Sequence, residues 1–451
     1  MKVKLHQIAY EFGKSTLLVL SNTVIMVPFL LFLGLSDGRT ETSVLPFALY
    51  YACRILGVFL IRAIKNTISS LELLVAALSV GLLGSILALF GPLLPILYLF
   101  AGILIGLSAS WLPSANVTLN HFQPNKEKKV YYPVVLVGLL ALFWGLSLSG
   151  NAGVWLSFGV YTVFYIIALL YAREATLRQI LINRTMPKES SVLFSKREFW
   201  IFTGLCLLLI VLRSGRLLDS ALSINIALIG FCIFFLLLIY KTGKEYRNYQ
   251  VPLPLNILTF LNGAVGNFLF LFGSLYVVNI FGKGSETLLL YVPYALGMVI
   301  ALGSFGKLSK MVSKNFEHYI LIGLFIGFIA MLFPAALSVG FFLLSYTHFL
   351  LNRWLNNQYF LENHIPEDQR ILLKNTTQKK GSLIHQFFLV ILMFIITEKQ
   401  TTSQSLFLQL MNPQSAHLSA STIFHLMSEI LIIGFLILIV SYFYLKYRKH
   451  H

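Results

Sequence analysis

The chain has 451 residues, of which 57% are hydrophobic and only 11% are charged. Soluble domains carry about 25% charged residues, so this composition excludes a protein that faces water over most of its surface. The net charge of +17 is spread over short basic clusters between apolar stretches, and no single basic patch or arm points to nucleic acid. The polar segments are also too short to form a separate catalytic domain.

Apolar runs of about 20 residues, each long enough to cross a membrane as a helix, recur along the whole chain. We therefore predict an all-α polytopic membrane protein with about fourteen spans. The predicted spans cover residues 15–35, 43–62, 71–91, 93–112, 131–150, 153–172, 199–213, 221–240, 256–280, 287–306, 319–335, 337–353, 382–397 and 423–445.

Fourteen spans sort the basic residues between the two sides of the membrane. With the N-terminus in the cytoplasm, all but five of the 34 lysines and arginines fall in or beside cytoplasmic segments. The exceptions are Arg39, Arg213, Arg216, Lys283 and Lys399. Because cytoplasmic loops are enriched in Lys and Arg, we predict a multi-pass protein of the cell membrane with both termini in the cytoplasm.

The polar segments divide the chain into two halves and an insert. They cover residues 114–130, 173–198, 241–255 and 354–381, and the middle two flank spans seven and eight. We predict an N-terminal six-helix half over 1–172, a cytoplasmic linker with two inserted helices over 173–255, and a C-terminal six-helix half over 256–451. Parallel halves of six helices are a known transporter architecture.

Related basic segments occupy the same place in both halves, between the second and third spans of each. They read GVFLIRAIKN at 57–66 and GKLSKMVSKN at 306–315. A glycine there allows close approach of two helices, and the cations anchor the turn among the headgroups. These segments resemble the signature turn of the major facilitator superfamily. Matching positions are Gly57, Leu60, Arg62 and Lys65 in the first copy and Gly306, Leu308 and Lys314 in the second, where Lys307 is a further cation of the turn.

Two departures from that signature stand out, because Ile61 and Lys310 occupy the positions of the family's aspartate. The fourth span and its exit, GILIGLSASWLPSANVTLNHFQPNKEKK, resemble the fourteen-helix drug:proton antiporters of the superfamily, and NHIPEDQR at 363–370 resembles a second copy of that exit. The resemblance implies a secondary transporter that exports amphipathic or lipophilic compounds by alternating access. The family's intramembrane arginine on the fourth helix is replaced by Gly102.

Polar residues inside the spans are the candidates for a substrate cavity. Arg54 lies within the second span, where it either snorkels to the headgroups or meets an anionic group. Asn22 and Asn262 occupy comparable places in the first span of each half, and such asparagines either contact substrate or bond between helices. The full set of candidates is Asn22, Arg54, Asn262, Asn267, His348 and His385.

Several alternatives to an exporter remain open on the sequence. A lipid or lipid-linked glycan flippase would suit Arg54 and the absence of a midspan carboxylate, and a non-transporting membrane protein derived from a transporter would suit the incomplete motifs. No nucleotide loop, zinc pattern or nucleophile motif is present, so we predict no enzyme, no cofactor and no metal site. Expected partners are a small-molecule or lipid substrate and membrane lipids, with the chain a monomer and no nucleic acid bound.

Overall fold

The computed structural model of the chain is entirely helical in its described parts. These comprise residues 2–35, 40–63, 68–122, 132–148, 150–181, 196–218, 220–242, 251–282, 284–312, 316–401, 404–411 and 420–448. The helices of the N-terminal part are α1 Lys2–Thr23, α2 Val27–Leu35, α3 Glu41–Ala63, α4 Ser70–Phe90, α5 Leu97–Phe122, α6 Tyr132–Ser147, α7 Gly150–Leu181 and α8 Lys196–Leu217. They are followed by α9 Ala221–Thr242, α10 Leu253–Asn267, α11 Gly273–Phe281, α12 Val292–Met311, α13 Phe316–Met331, α14 Leu337–Leu361, α15 Glu367–Thr401, α16 Gln404–Met411 and α17 Ala420–Arg448.

Length and apolarity identify the membrane-spanning helices. In the described residues, 10 helices are long and apolar enough to cross a membrane, and α1 with α2, which are bent by 48° at a short break, count as an eleventh span if the pair is taken as one. All fourteen predicted runs coincide with helices, but those on α6, α9 and α13 fall short of this test over their described residues. The predicted all-α polytopic membrane fold is confirmed, with about ten or eleven clear spans.

The helices extend further into the polar segments than predicted. Residues 354–381 were expected to form a long loop, yet α14 continues to Leu361 and α15 begins at Glu367. The expectation was wrong because polar residues such as Gln, Glu, Lys and Arg continue a helix as well as apolar ones do, and the helical conformation is interrupted only over Glu362–Pro366. The helix α12 likewise continues to Met311, so Gly306 lies inside a helix and not in a turn.

The chain divides into two compact units. The first comprises Met1–Ala227 with Glu367–Leu372, and the second comprises Leu228–Pro366 with Leu373–His451. In the first unit, α8 packs along α3. In the second unit, Phe231 of α9 stacks on Phe387 of α15, with ring centroids 3.7 Å apart. The division between the units falls within α9, after Ala227.

Within the first unit, glycines bring the backbones of α3 and α5 together. A Cβ atom at Gly102 would lie 2.5 Å from the Pro46 carbonyl oxygen, and one at Gly106 would lie 2.7 Å from that of Tyr50. Gly57 approaches α5 in the same way, because its Cβ would lie 2.8 Å from the Ser110 Cβ. Small residues allow this close packing between helices in a membrane, where lipid is as apolar as the side chains.

The second unit uses the same device between α10 and α15. A Cβ atom at Gly263 would overlap the carbonyl oxygen of Gln378, and a Cβ atom at Gly381 would overlap that of Phe260. The two helices thus touch through their backbones. This contact aligns the polar residues that follow on each helix.

The order of helix packing is repeated in the two units. In the first, α3 and α4 each pack on α5, α4 packs on α7, and α1 packs on both α5 and α7. In the second, α12 and α13 each pack on α14, α13 packs on α17, and α10 packs on both α14 and α17. The same arrangement of corresponding helices indicates an internal structural repeat.

A pair of hydrogen bonds follows the same repeat. The Trp111 Nε1 group on α5 donates to the Gly57 carbonyl of α3 at 2.8 Å, and an Arg353 guanidinium nitrogen on α14 donates to the Leu302 carbonyl of α12 at 3.2 Å. Each donor lies about thirteen residues before the proline of the exit segment, Pro124 or Pro366. The two donors therefore correspond in their position relative to the exit prolines.

The backbone contact between α10 and α15 can be tested with Gly263→Ala. We expect a loss of about 1–3 kcal/mol of unfolding free energy, because the new methyl group overlaps a backbone oxygen and the helices must separate. Gly434→Ala in α17 is the matched control, since nothing lies within 4 Å of its Cβ position. Thermal unfolding in detergent measures both variants, and equal melting temperatures would contradict the close contact.

Candidate functional site

The first helix of the N-terminal unit is broken near its middle. The helix α1 ends at Thr23 and α2 begins at Val27, with Pro28 in the first turn after the break. Proline has no backbone N–H, so the carbonyl of Val24, four residues earlier, loses its helical donor. A carbonyl without a partner inside a membrane costs several kcal/mol, and the break must be stabilised by other groups.

Two side chains of α3 supply the missing donors. The Tyr50 hydroxyl lies 2.9 Å from the Val24 carbonyl oxygen and 3.0 Å from that of Ile25, so its single proton is shared between them. An Arg54 guanidinium nitrogen donates to the Ile25 carbonyl at 3.0 Å. These two residues are one turn apart on α3, so one face of that helix donates to two adjacent carbonyls within the break.

Aromatic rings surround the Arg54 guanidinium. Its central carbon lies 5.2 Å from the ring centroid of Phe29, 5.9 Å from that of Tyr50 and 5.4 Å from that of Tyr51. Arg213 of α8 lies 3.8 Å from the same Tyr51 ring. Cation–π attraction therefore holds both guanidinium groups beside one ring. In the described part of the chain, the Nε groups of both arginines are buried without a hydrogen-bond partner.

The first helix of the C-terminal unit is also irregular, at a corresponding place. A π-helical segment covers Phe268–Phe272, between α10 and α11. Short π segments insert one residue into an α-helix and often accompany functional sites. If Asn22 is aligned with Asn262, Pro28 of the first unit aligns with Phe268, the first residue of this π segment.

The residue before the π segment joins α10 to α15. The Asn267 side-chain nitrogen lies 2.9 Å from His385 Nδ1, and both side chains are buried. The imidazole of His385 packs against Phe268 in an edge arrangement and stacks with Phe435, with centroids 5.9 and 5.5 Å away. His385 Nε2 has no hydrogen-bond partner among the described residues.

A second polar group joins α10, α14 and α15 about three turns nearer to the start of α15. The Lys374 ammonium donates to the side-chain oxygens of Asn352 at 2.5 Å and of Asn356 at 2.6 Å. Asn262 Nδ2 donates to the same Asn352 oxygen at 3.4 Å. We call Asn262, Asn352, Asn356 and Lys374 the lysine–asparagine cluster.

Of the six candidates for a substrate cavity, four lie in the second unit and two in the first. Asn262 belongs to the lysine–asparagine cluster, and His348 lies one turn before Asn352 on α14, beside Gly266 of α10. Asn267 and His385 bond to each other, so four candidates meet on three facing helices. Arg54 binds the helix break of the other unit. Asn22 is exposed and donates to the Leu18 carbonyl of its own helix at 2.7 Å.

The turn residues follow the repeat only in part. Arg62 lies in the last turn of α3 and Lys310 in the last turn of α12, where a positive charge complements the helix dipole. Lys307 is exposed in that same helix. Gly57 makes the expected close approach, but nothing lies within 4 Å of a Cβ position at Gly306, so the expectation fails there. Lys65 and Lys314 lie outside the described residues.

The sequence analysis missed Lys374, Asn352, Asn356 and Tyr50. Lys374 and Asn356 lie within the segment 354–381, which was predicted to be a loop because of its polarity, and Asn352 lies at the end of the predicted span 337–353. A signal was available in the spacing, since His348, Asn352 and Asn356 follow one another at intervals of four residues along one helical face. The spacing of Lys374, Gly381 and His385 marks one face of α15 in the same way.

Comparison with known proteins gives weak structural similarities. No protein-family model and no curated protein matches the chain. Among solved structures, the chain is similar to a bacterial homologue of the human lysosomal transporter Spinster in its inward-facing, occupied conformation, at 14% identity and a TM-score of 0.41. The same homologue in its inward-facing, unoccupied conformation has 13% sequence identity to this chain and a TM-score of 0.39. Each comparison covers 97% of this chain and 95% of the other. Neither similarity carries an argument about function.

The capping role of Tyr50 can be tested with Tyr50→Phe. We expect a loss of about 1–3 kcal/mol of unfolding free energy, because the variant leaves the Val24 carbonyl buried without a donor. Tyr276→Phe is the matched control, since the Tyr276 hydroxyl is buried and has no hydrogen-bond partner among the described residues. Thermal unfolding of the purified variants measures the difference. A Tyr50→Phe variant as stable as the control would show that the break does not depend on this hydroxyl.

Proposed function

We propose that the chain is a secondary transporter that works by alternating access between two structurally repeated six-helix parts. The observation that carries the proposal is the repeated packing order, together with the irregularity of the first helix of each unit at a corresponding place, a break in the first unit and a π segment in the second. Interrupted spans at matching positions of two repeats are the best structural pointer to a transport site. The major facilitator superfamily, which the paired basic segments resemble, has this architecture. The proposal assigns no chemical reaction to the chain.

For the substrate, we propose amphipathic or lipophilic compounds that are moved outward. Support comes from the aromatic surroundings of Arg54 and of His385, which suit an apolar body beside a polar group. The second candidate function is a lipid or lipid-linked glycan flippase. Arg54 favours it, because a guanidinium that binds only neutral groups in the described structure can accept an anionic headgroup.

Transport by the purified protein in liposomes tests the proposal. We expect it to accumulate or release a cationic dye, a neutral dye or a fluorescent lipid faster than empty liposomes do, and a collapsed proton gradient to stop any coupled movement. The same protein cross-linked between its units provides the control for leakage. A protein that moves none of these compounds in either direction would contradict the transporter proposal.

The proposed topology places the chain in the cell membrane with both termini in the cytoplasm. Single cysteines at Leu217 and Arg247, in a background without the three natural cysteines, test it directly. Leu217 lies at the end of α8, and Arg247 lies outside the described residues. An impermeant thiol reagent should label position 217 in whole cells and position 247 only after permeabilisation. The reverse result would overturn the count of fourteen spans.

The role of Arg54 can be resolved with two variants. If Arg54 only caps the Ile25 carbonyl, Arg54→Lys should retain most transport, because an ammonium can donate the same single hydrogen bond. If it also binds an anionic group with its planar fork, Arg54→Lys should lose at least tenfold in transport while the protein still inserts and unfolds at the normal temperature. Wild-type transport in Arg54→Ala would remove the main support for the flippase.

A further inference from the structure

Lys374 is a buried cation whose hydrogen-bond partners are both neutral. Only 2% of its surface is exposed, and its ammonium bonds to two asparagine side-chain oxygens. In the described part of the chain it forms no ion pair with a carboxylate. An ammonium has three N–H groups, so two asparagine oxygens leave one of them available.

The surroundings of Lys374 contain further unused polar atoms. The side-chain oxygen of Asn262 is fully buried and has no hydrogen-bond partner among the described residues. The same is true of His348 Nδ1, on the same helical face as Asn352 and one turn before it. Buried polar atoms are nearly always hydrogen-bonded in folded proteins, so two unused ones near a buried cation indicate a site that binds a polar group.

We propose that the lysine–asparagine cluster binds an oxyanion, a carboxylate or phosphate group of the transported compound, through Lys374. A buried ammonium without a countercharge is unfavourable in a medium of low dielectric constant, and an oxyanion supplies that charge together with acceptors for the remaining N–H group. Asn262 Oδ1 and His348 then accept or donate hydrogen bonds at neighbouring positions on the compound. The substrate class is thereby narrowed from amphipathic compounds in general to amphipathic anions.

This inference rests on the proposed function, because the cluster is buried in the present state. Alternating access would open it to one side of the membrane at a time, as a transporter requires. The oxyanion belongs either to a soluble compound or to a lipid headgroup. Both present the same charged oxygens to Lys374, and the experiment below separates them.

Binding to the purified full-length chain in nanodiscs is the test, with benzoate and phenyl phosphate as probes. Benzamide is the neutral probe, matched to benzoate in shape. We expect calorimetry to detect both anions and to find benzamide at least tenfold weaker. Lys374→Met should weaken anion binding at least tenfold, and Lys399→Met, an exposed lysine on the same helix, should leave it unchanged. Equal binding of benzoate and benzamide by the natural protein would overturn the proposal.

Asn352→Asp provides a second variant in case Lys374→Met does not fold. It places a carboxylate where the ammonium already bonds at 2.5 Å, so the site carries its own countercharge. We expect a higher melting temperature than that of the natural protein and at least tenfold weaker anion binding. A lower melting temperature with unchanged anion binding would show that Lys374 has only a structural role.

Phosphatidylglycerol in the nanodiscs distinguishes the two sources of the anion. It should compete with benzoate if the anion is a lipid headgroup, and should have no effect if the anion belongs to a soluble compound.

The binding and transport results can fail separately. Anion binding that depends on Lys374, in a protein that moves no compound in liposomes, would support the site and contradict the transporter proposal. Transport of neutral and anionic compounds at equal rates, with no effect of Lys374→Met, would overturn the oxyanion site and leave the transporter proposal intact.

Discussion

Every backbone carbonyl and amide in a membrane must find a partner within the protein, and this constraint explains the form of the first helix in the N-terminal unit. Pro28 removes one donor, and the helix breaks with a bend of 48°. The break persists because Tyr50 and Arg54 of a neighbouring helix donate to the carbonyls that it frees. Two side chains of α3 thus compensate for the unfavourable free energy of the freed carbonyls. Packing between α3 and α5 holds these side chains in place.

The C-terminal unit satisfies the same constraint differently. Its first helix keeps continuous hydrogen bonding by widening into a π segment, and it needs no external cap. Its neighbours are asparagines, histidines and one lysine instead of an arginine surrounded by rings. The two units therefore share a packing order while differing in the chemistry beside the irregular helix. A shared packing order does not fix the chemistry of the residues that it brings together.

The apolar helices could be predicted because the length of a membrane span leaves little freedom, and every predicted run proved helical. The helix boundaries could not be predicted, because the end of α14 and the start of α15 are polar on the face that meets other polar helices. Hydropathy alone cannot distinguish Asn356 or Lys374 from loop residues. Asn262 and Asn267 could be singled out as polar residues in an apolar span. Their partners could not, since Asn352 and His385 lie about 90 and 118 residues further along the chain.

The π segment has a geometric consequence for the residues beyond it. Asn267 and Asn279 are twelve positions apart, which in a continuous α-helix would place their side chains about 120° apart around the axis. The one residue that a π segment absorbs reduces this angle to about 20°. Asn279 consequently faces the protein, where it is fully buried and donates to the Leu410 carbonyl of α16 at 3.1 Å. Regular α-helical winding of Phe268–Phe272 with all five residues kept would rotate that amide by about 100° away from Leu410, whereas deleting one of these residues would restore a regular helix and keep Asn279 in its present direction.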